Sequence, residues 1–238
     1  MVQQIRIPHN WNVPDSIRQR VADIAGAQRA LEADGHLLLI LHKLPDAESA
    51  QRDLRMFWRS AEGEWASNDF GPGVKSLQRH IGEYNDRVNA LEDDEHRADS
   101  ADEYFQIRRE ITPIHRAAKN MSESLSLAYQ MFSDDRGLLG CRNFAAGVER
   151  TAELLKDDAT YGLEFSMAKQ AEAQALAGHR QNLITSIFFP ILTFAAIFGM
   201  NLDHGLEHKP IWLFWILVMI GVSIGFMMKT LVFRAAID

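Results

Sequence analysis

The sequence predicts a predominantly helical α+β cytoplasmic domain with a small β-sheet, then a long stalk helix continuing into a two-helix transmembrane hairpin. Three observations predict it. Two uncharged runs, Asn182 to Leu202 and Pro210 to Met228, lie near the end of the chain. Each supplies the roughly 20 residues that a helix needs to cross a bilayer core of about 30 Å. Gly71-Pro72-Gly73 separates a strand-bearing front region from long helical patterns. From about Leu138 onward no proline interrupts the helical pattern before Pro190.

Each element follows in order. Residues 1–72 read as a small α/β region. Pro14 to Ala33 has a helical stripe of Ile17, Val21, Ile24 and Leu31, with Pro14 at its first turn and Gly35 past its end. Leu37 to Leu41 is a short apolar strand ended by Pro45. Leu54, Met56 and Trp58 alternate with Arg55, Phe57 and Arg59 as a second strand, and Glu62-Gly63 turns into Glu64-Trp65-Ala66. Two or three such strands need a helix to pack against. Residues 73–137 read as a helical hairpin: Val74 to about Arg97, then about Asp99 to Phe132 with a kink at Pro113, closed by the turn Ser133 to Gly137. Residues 138–180 form the stalk, weakened slightly at Gly147, Gly162 and Gly178. The first span is 181–202, the external loop 203–209, the second span 210–230 and the tail 231–238.

Composition narrows the function. The net charge of -7 argues against a nucleic-acid surface. One cysteine, Cys141, forms no internal disulfide and reads as a packed small side chain. No phosphate-binding Gly-x-x-x-x-Gly-Lys-Ser/Thr loop is present, and no nucleophile, base and orienter can be assembled. His80, His96 and His115 read as surface or core-edge residues. The chain therefore reads as a non-enzyme that needs no cofactor. Its N-terminus has no signal-peptide core. Lys169 and Arg180 before the first span and Lys229 and Arg234 after the second predict a multi-pass inner-membrane protein with both termini cytoplasmic. Trp212 and Trp215 suit an interfacial belt in contact with lipid.

The segment from Ile187 through Pro190 to Gly199-Met200-Asn201, followed by a short loop and a second span, resembles the CorA-type divalent-cation transporters. Pro190 keeps that family's spacing of eleven residues before the asparagine. The chain is short for CorA and resembles reduced, CmaX-like members. The resemblance implies a homopentameric funnel, a pore lined by five first spans, and Gly199, Met200 and Asn201 as the selectivity filter. Five amides suit an ion such as Mg²⁺, which keeps several of its waters. Asn201 read alone, without the flanking pattern, is more simply a helix cap at a membrane-hairpin turn.

On that alignment Leu192, Phe189, Thr185, Gln181 and Gly178 line the pore, with Phe189 and Leu192 as a hydrophobic constriction that gates by dewetting. The family's threonine stands at Leu192; here Thr193 is displaced by about 100° around the helix. Further inward come Ala175, Ala171, Ala168, Glu164 and Asp157, the two acids attracting cations. Asp203 and Glu207 in the external loop concentrate cations at the mouth. His204 and His208 are metal-ligand types that suit Zn²⁺, in the manner of the ZntB transporters. The acidic run Glu92 to Glu95 with His96 is either a metal sensor or a solvated face. The expected cargo is Mg²⁺, with Zn²⁺ or Co²⁺ as alternatives. The alternative role is a membrane-anchored pentameric scaffold or regulator that has lost transport.

Overall fold

The computed structural model describes residues 6–21, 28–46, 53–199 and 210–235, with backbone only at 194, 197–199, 217 and 228–235. It divides into two compact units, residues 1–167 and 168–238.

The first unit opens with α1, Asp15–Arg18, a single turn after Pro14. Strands β1 (Arg29–Ala33), β2 (His36–His42), β3 (Leu54–Arg59), β4 (Trp65–Ser67) and β5 (Gly71–Pro72) follow. They form one antiparallel meander in the order β1-β2-β3-β4-β5. The expected helix over Pro14–Ala33 is thus corrected to one turn and a strand. Ile17 is fully buried beneath the sheet, while Arg18 donates to the carbonyls of Val13 and Trp11, 3.1 and 2.8 Å away. Ile24 lies outside the described residues. Leu31 alternates as a strand residue paired with Leu38. Gly35 is a hairpin residue, not a helix stop: Asp34 and Gly35 take φ of 53° and 78°. Positive φ at both central positions makes the tight turn that matches strand twist.

The sheet has five strands rather than two or three, and both its faces are covered. Leu37, Leu39, Leu41 and Phe57 meet the helices on one side. Leu38, Ile40, Leu54 and Met56 meet Trp11, Val13 and Ile17 on the other. Burial on both faces explains why β2 is continuously apolar.

Three helices complete the unit and carry the largest core. Helix α2 (Lys75–Glu95) buries Leu77, Ile81, Tyr84, Val88 and Leu91, a single helical stripe. Helix α3 (Ala101–Met131) starts at Ser100, whose hydroxyl and the Glu103 carboxylate satisfy each other's backbone N–H groups as a capping box. It continues helically through Pro113. Helix α4 (Arg136–Gly199) has 64 residues, close to the roughly 60 expected. In this unit it buries Leu138, Cys141, Ala145, Val148, Ala152, Leu155 and Ala159. Ala145, Ala152 and Ala159 recur every two turns and admit close helix packing. Gly162 serves the same end, because a Cβ there would meet the Tyr104 ring at 2.4 Å. Burial first, and the charge of Asp135 second, push the Cys141 thiol up to about 12.

Two polar clusters tie the sheet to the helices. Asp135 precedes α4 and accepts from the Leu138 N–H at 3.0 Å, as an N-cap. Its other oxygen accepts from Arg59 Nε at 2.9 Å and Trp65 Nε1 at 3.3 Å. The second cluster surrounds Arg55, whose side chain is 5% exposed. Arg55 pairs with Asp69 at 2.9 Å and Glu83 at 2.8 Å, and its guanidinium lies 3.8 Å from the Phe70 ring centre. Its Nη1 stands 2.7 Å from His80 Nδ1. A guanidinium can only donate, so His80 Nδ1 is the acceptor and the ring proton sits on Nε2. His80 is fully buried, which corrects its reading as a surface or core-edge residue. Burial first and Arg55 second lower its pKa to about 3, holding it neutral. His96 is exposed and His115 half-buried, as the sequence suggests.

The second unit contains the remainder of α4 and helix α5 (Trp212–Ala235). The two pack tightly at Gly225. A Cβ there would stand 2.8 Å from the Ile187 carbonyl oxygen, backbone that cannot yield.

Candidate functional site

Helix α4 ends at Gly199, the first residue of the Gly-Met-Asn tripeptide. Met200, Asn201 and the loop residues Asp203, His204, Glu207 and His208 lie outside the described residues. The geometry of the site therefore comes from the helix that leads to them.

In the second unit α4 has two unlike faces. Leu183, Ile187 and Ile191 are half-buried, and Ile187 meets α5. Thr185 and Phe189 each stand about 160° around the helix from Ile187. Gln181, Thr185, Phe189 and Leu192 are all exposed, Phe189 at 65% and Leu192 at 64%; Gly178 is half-buried. Four of the five residues expected to line a pore, Gln181, Thr185, Phe189 and Leu192, thus share a face that α5 leaves open. The hydroxyls nearby are turned onto their own helix. Ser186 donates to the Asn182 carbonyl at 2.8 Å and Thr193 to the Phe189 carbonyl at 2.9 Å. A hydroxyl bonded to the preceding turn is satisfied without water. Thr193 also occupies the backbone rather than offering a free polar collar.

The side of the hairpin facing away from that surface rests on a signal that the sequence reading missed. Gly221 and Gly225, four residues apart on α5, are both buried. Small residues at this spacing let two helix backbones approach closely. The pattern Gly221-Val-Ser-Ile-Gly225 is readable from the sequence.

In the first unit Asp157 and Glu164, seven residues apart, are both exposed on α4. Asp157 has Lys156 at 3.4 Å, which offsets part of its charge. Glu164 has no ion pair among the described residues. The run at the end of α2 is mostly exposed, and Asp94 pairs with Arg97 at 2.7 Å. Among the described residues no cluster of three or more His, Cys, Asp or Glu side chains is placed to hold a metal. Among them, too, no helix is long and apolar enough to cross a membrane. Phe194 and Leu217, which stand inside the two uncharged runs, have no described side chain.

Neither a protein-family model nor a curated protein matches this chain. Solved structures do. One, described as the structure of the full-length CmaX protein, matches with a TM-score of 0.69 and 13% identity, over 95% of this chain and 82% of that one. Another, the complete structure of the CorA magnesium transporter from Methanocaldococcus jannaschii, matches with a TM-score of 0.54 and 14% identity, over 87% of this chain and 78% of that one. The fold is CorA-type. The CorA-type likeness extends across nearly the whole chain, so it takes in the five-stranded sheet, α2, α3 and the long α4 as well as the closing helices.

Proposed function

We propose that this chain is a CorA-like divalent-cation channel or transporter, a homopentamer of the inner membrane with Mg²⁺ as its cargo. The observation that carries this reading is the open face of α4. Gln181, Thr185, Phe189 and Leu192 are presented away from the α5 contact, on the helix that ends at Gly199. The CorA-type fold supports it, as does the description of one similar structure as a magnesium transporter. The uncharged runs 182–202 and 210–228 support a membrane hairpin, since each has the length a bilayer requires. Five copies of the open face would enclose an axial path narrowed by Phe189 and Leu192. Gly199, Met200 and Asn201 would form the filter, and the Asn201 amide would accept hydrogen bonds from the ion's retained waters. Asp203, Glu207, Glu164 and Asp157 would draw cations toward the path. His204 and His208 would bias the entrance toward Zn²⁺ if they reach the same ion. Inward movement of a divalent ion gains about 4.6 kcal/mol per 100 mV, twice the single-charge value.

The test is ion flux into proteoliposomes under an applied potential, Mg²⁺ against Zn²⁺, for the native protein and Asn201→Ala. Flux in the native protein that is lost or altered in an Asn201→Ala variant of unchanged oligomeric state is the expected result. A native pentamer that passes neither ion would favour the scaffold reading. The two bulky apolar side chains on the open face, Phe189 and Leu192, are what motivates that second reading.

A further inference from the structure

The outward face of α3 carries a feature that cation movement does not use. Phe105, Arg108, Arg109, Thr112 and Arg116 follow one another at helical spacing, on the side turned away from the buried Ile107, Ile111 and Ile114. Together with Pro113 they line a groove of about 450 Å³. Lys119 continues the same face by three residues. Between Asp102 and Glu123 that face holds four cations and no carboxylate, in a chain whose net charge is -7. Two acids of α3 lie within this stretch: Glu103 is bound to the backbone N–H of Ser100 in the capping box, and Glu110 is on the flank and is paired with Arg87.

The three arginines are exposed, and among the described residues none of their guanidinium groups has a carboxylate partner. Structural arginines elsewhere in the unit behave differently: Arg55 is buried, Arg59 is half-buried, and each is matched to an acid. Arg109 also borders a second groove of about 390 Å³, with Arg87, Gln106, Glu110, Asp46, Leu44, Pro45 and Ile114. Beside the arginines the Phe105 ring is 49% exposed.

Like charges held together on one rigid helix repel each other and raise the local potential, so a bound anion lowers the energy of the whole face. Planar guanidinium groups match the oxygens of a phosphate, two contacts to a group. The neighbouring exposed ring offers a stacking surface to a flat ligand. The geometry points to a site for an aromatic phosphate ester, a nucleotide polyphosphate, with Arg108, Arg109 and Arg116 on the phosphates and Phe105 against the base. Thr112 does not compete for the ligand through its proton, because its hydroxyl donates to the Arg108 carbonyl at 2.6 Å.

The experiment is isothermal titration of the full chain in detergent, free of divalent ions, with ATP, inorganic triphosphate and adenosine. A parallel arm measures sedimentation with vesicles of phosphatidylcholine containing or lacking phosphatidylglycerol. ATP should bind, triphosphate should bind more weakly, and adenosine should give no heat. Arg109→Gln with Arg116→Gln should weaken ATP by at least about tenfold, the loss expected for two charged contacts. Phe105→Ala should weaken ATP and leave triphosphate unchanged. Thermal melting of each variant reports its folding, and competition of triphosphate against ATP on the native chain gives an independent readout should a variant unfold. No heat with ATP, equal binding by the double variant with native melting, or binding only to the phosphatidylglycerol vesicles would each overturn the assignment.

Discussion

Helix α4 passes through two different environments, and comparing them shows what each part of the chain needs. In the first unit it buries a narrow stripe, Leu138, Cys141, Ala145, Val148, Ala152, Leu155 and Ala159, under α2, α3 and the sheet. In the second unit Leu176, Ile184, Phe188, Phe189 and Leu192 are all exposed. Among the described residues, the face toward Gly225 is the one that α5 closes. The first stretch is amphipathic and is stabilised by burial within its own chain. The second, from Leu183 on, is apolar around most of its circumference, and an exposed apolar surface of that size marks a place of contact with something outside this chain. One continuous helix therefore has its stability set by this chain at one end and by its surroundings at the other.

The comparison is broken most severely at the helix contact of the second unit. Gly225→Leu should abolish the assembled, full-length protein on gel filtration in detergent, because its side chain would collide with the Ile187 backbone. Gly178→Ala, with no atom within 4 Å of its Cβ, should leave assembly unchanged and add up to about 1 kcal/mol of helix stability. Should both variants behave alike, the contact between α4 and α5 is not what holds the second unit.

A smaller effect is expected where the first stretch begins. Asp135→Ala removes the cap of α4 and leaves Arg59 and Trp65 without their acceptor. Chemical denaturation should show a loss of about 3 kcal/mol. The loss should appear in the transition of the first unit and leave the behaviour of the second unit in detergent as it was.

A graded effect, spread over the acid range, sharpens the contrast through pH. The folded pKa of His80 is lowered to about 3 from an ordinary 6.5. Between these values the unfolded chain binds the extra proton, so His80 costs the first unit no stability above about pH 6.5. Stability then falls as pH drops toward 3, by at most about 1.4 kcal/mol per unit. His80→Gln should flatten the denaturation midpoint between pH 6.5 and 4. An unchanged slope in that variant would assign the pH dependence to other groups.

The helices were legible because each writes its pattern locally. Ser100 and Glu103 open α3, and the core stripe of α2 repeats every three or four residues. The front of the chain was less legible because two patterns compete there. Ile17, Val21, Ile24 and Leu31 mimic a helix, yet Asp34-Gly35 is a hairpin signal and the structure follows it. Gly71–Pro72 is a break in the sequence pattern and also serves as the edge strand β5. The extra strand β1 is held by partners far away in sequence, such as the Ala117 carbonyl of α3, to which the adjoining Gln28 donates at 2.7 Å, which no local window contains. His80 lies beside the apolar stripe of Leu77, Ile81 and Tyr84, which already marks a buried face, and Phe57 and Arg55 on β3 cover it. Of the candidate site, the sequence named the residues on the open face of α4, while the Gly225 contact that leaves that face free went unread.

The buried thiol of α4 has a practical consequence. Cys141 is the sole cysteine of the chain, shielded from solvent and protonated at neutral pH. Alkylating reagents attack the thiolate of an accessible sulfur, so the native protein is a blank background for them. A cysteine introduced in turn at positions 181, 185, 189 and 192 would be the one reactive group in each variant. The rate at which a water-soluble reagent from either side labels it would map, residue by residue, how far an aqueous path extends along that helix.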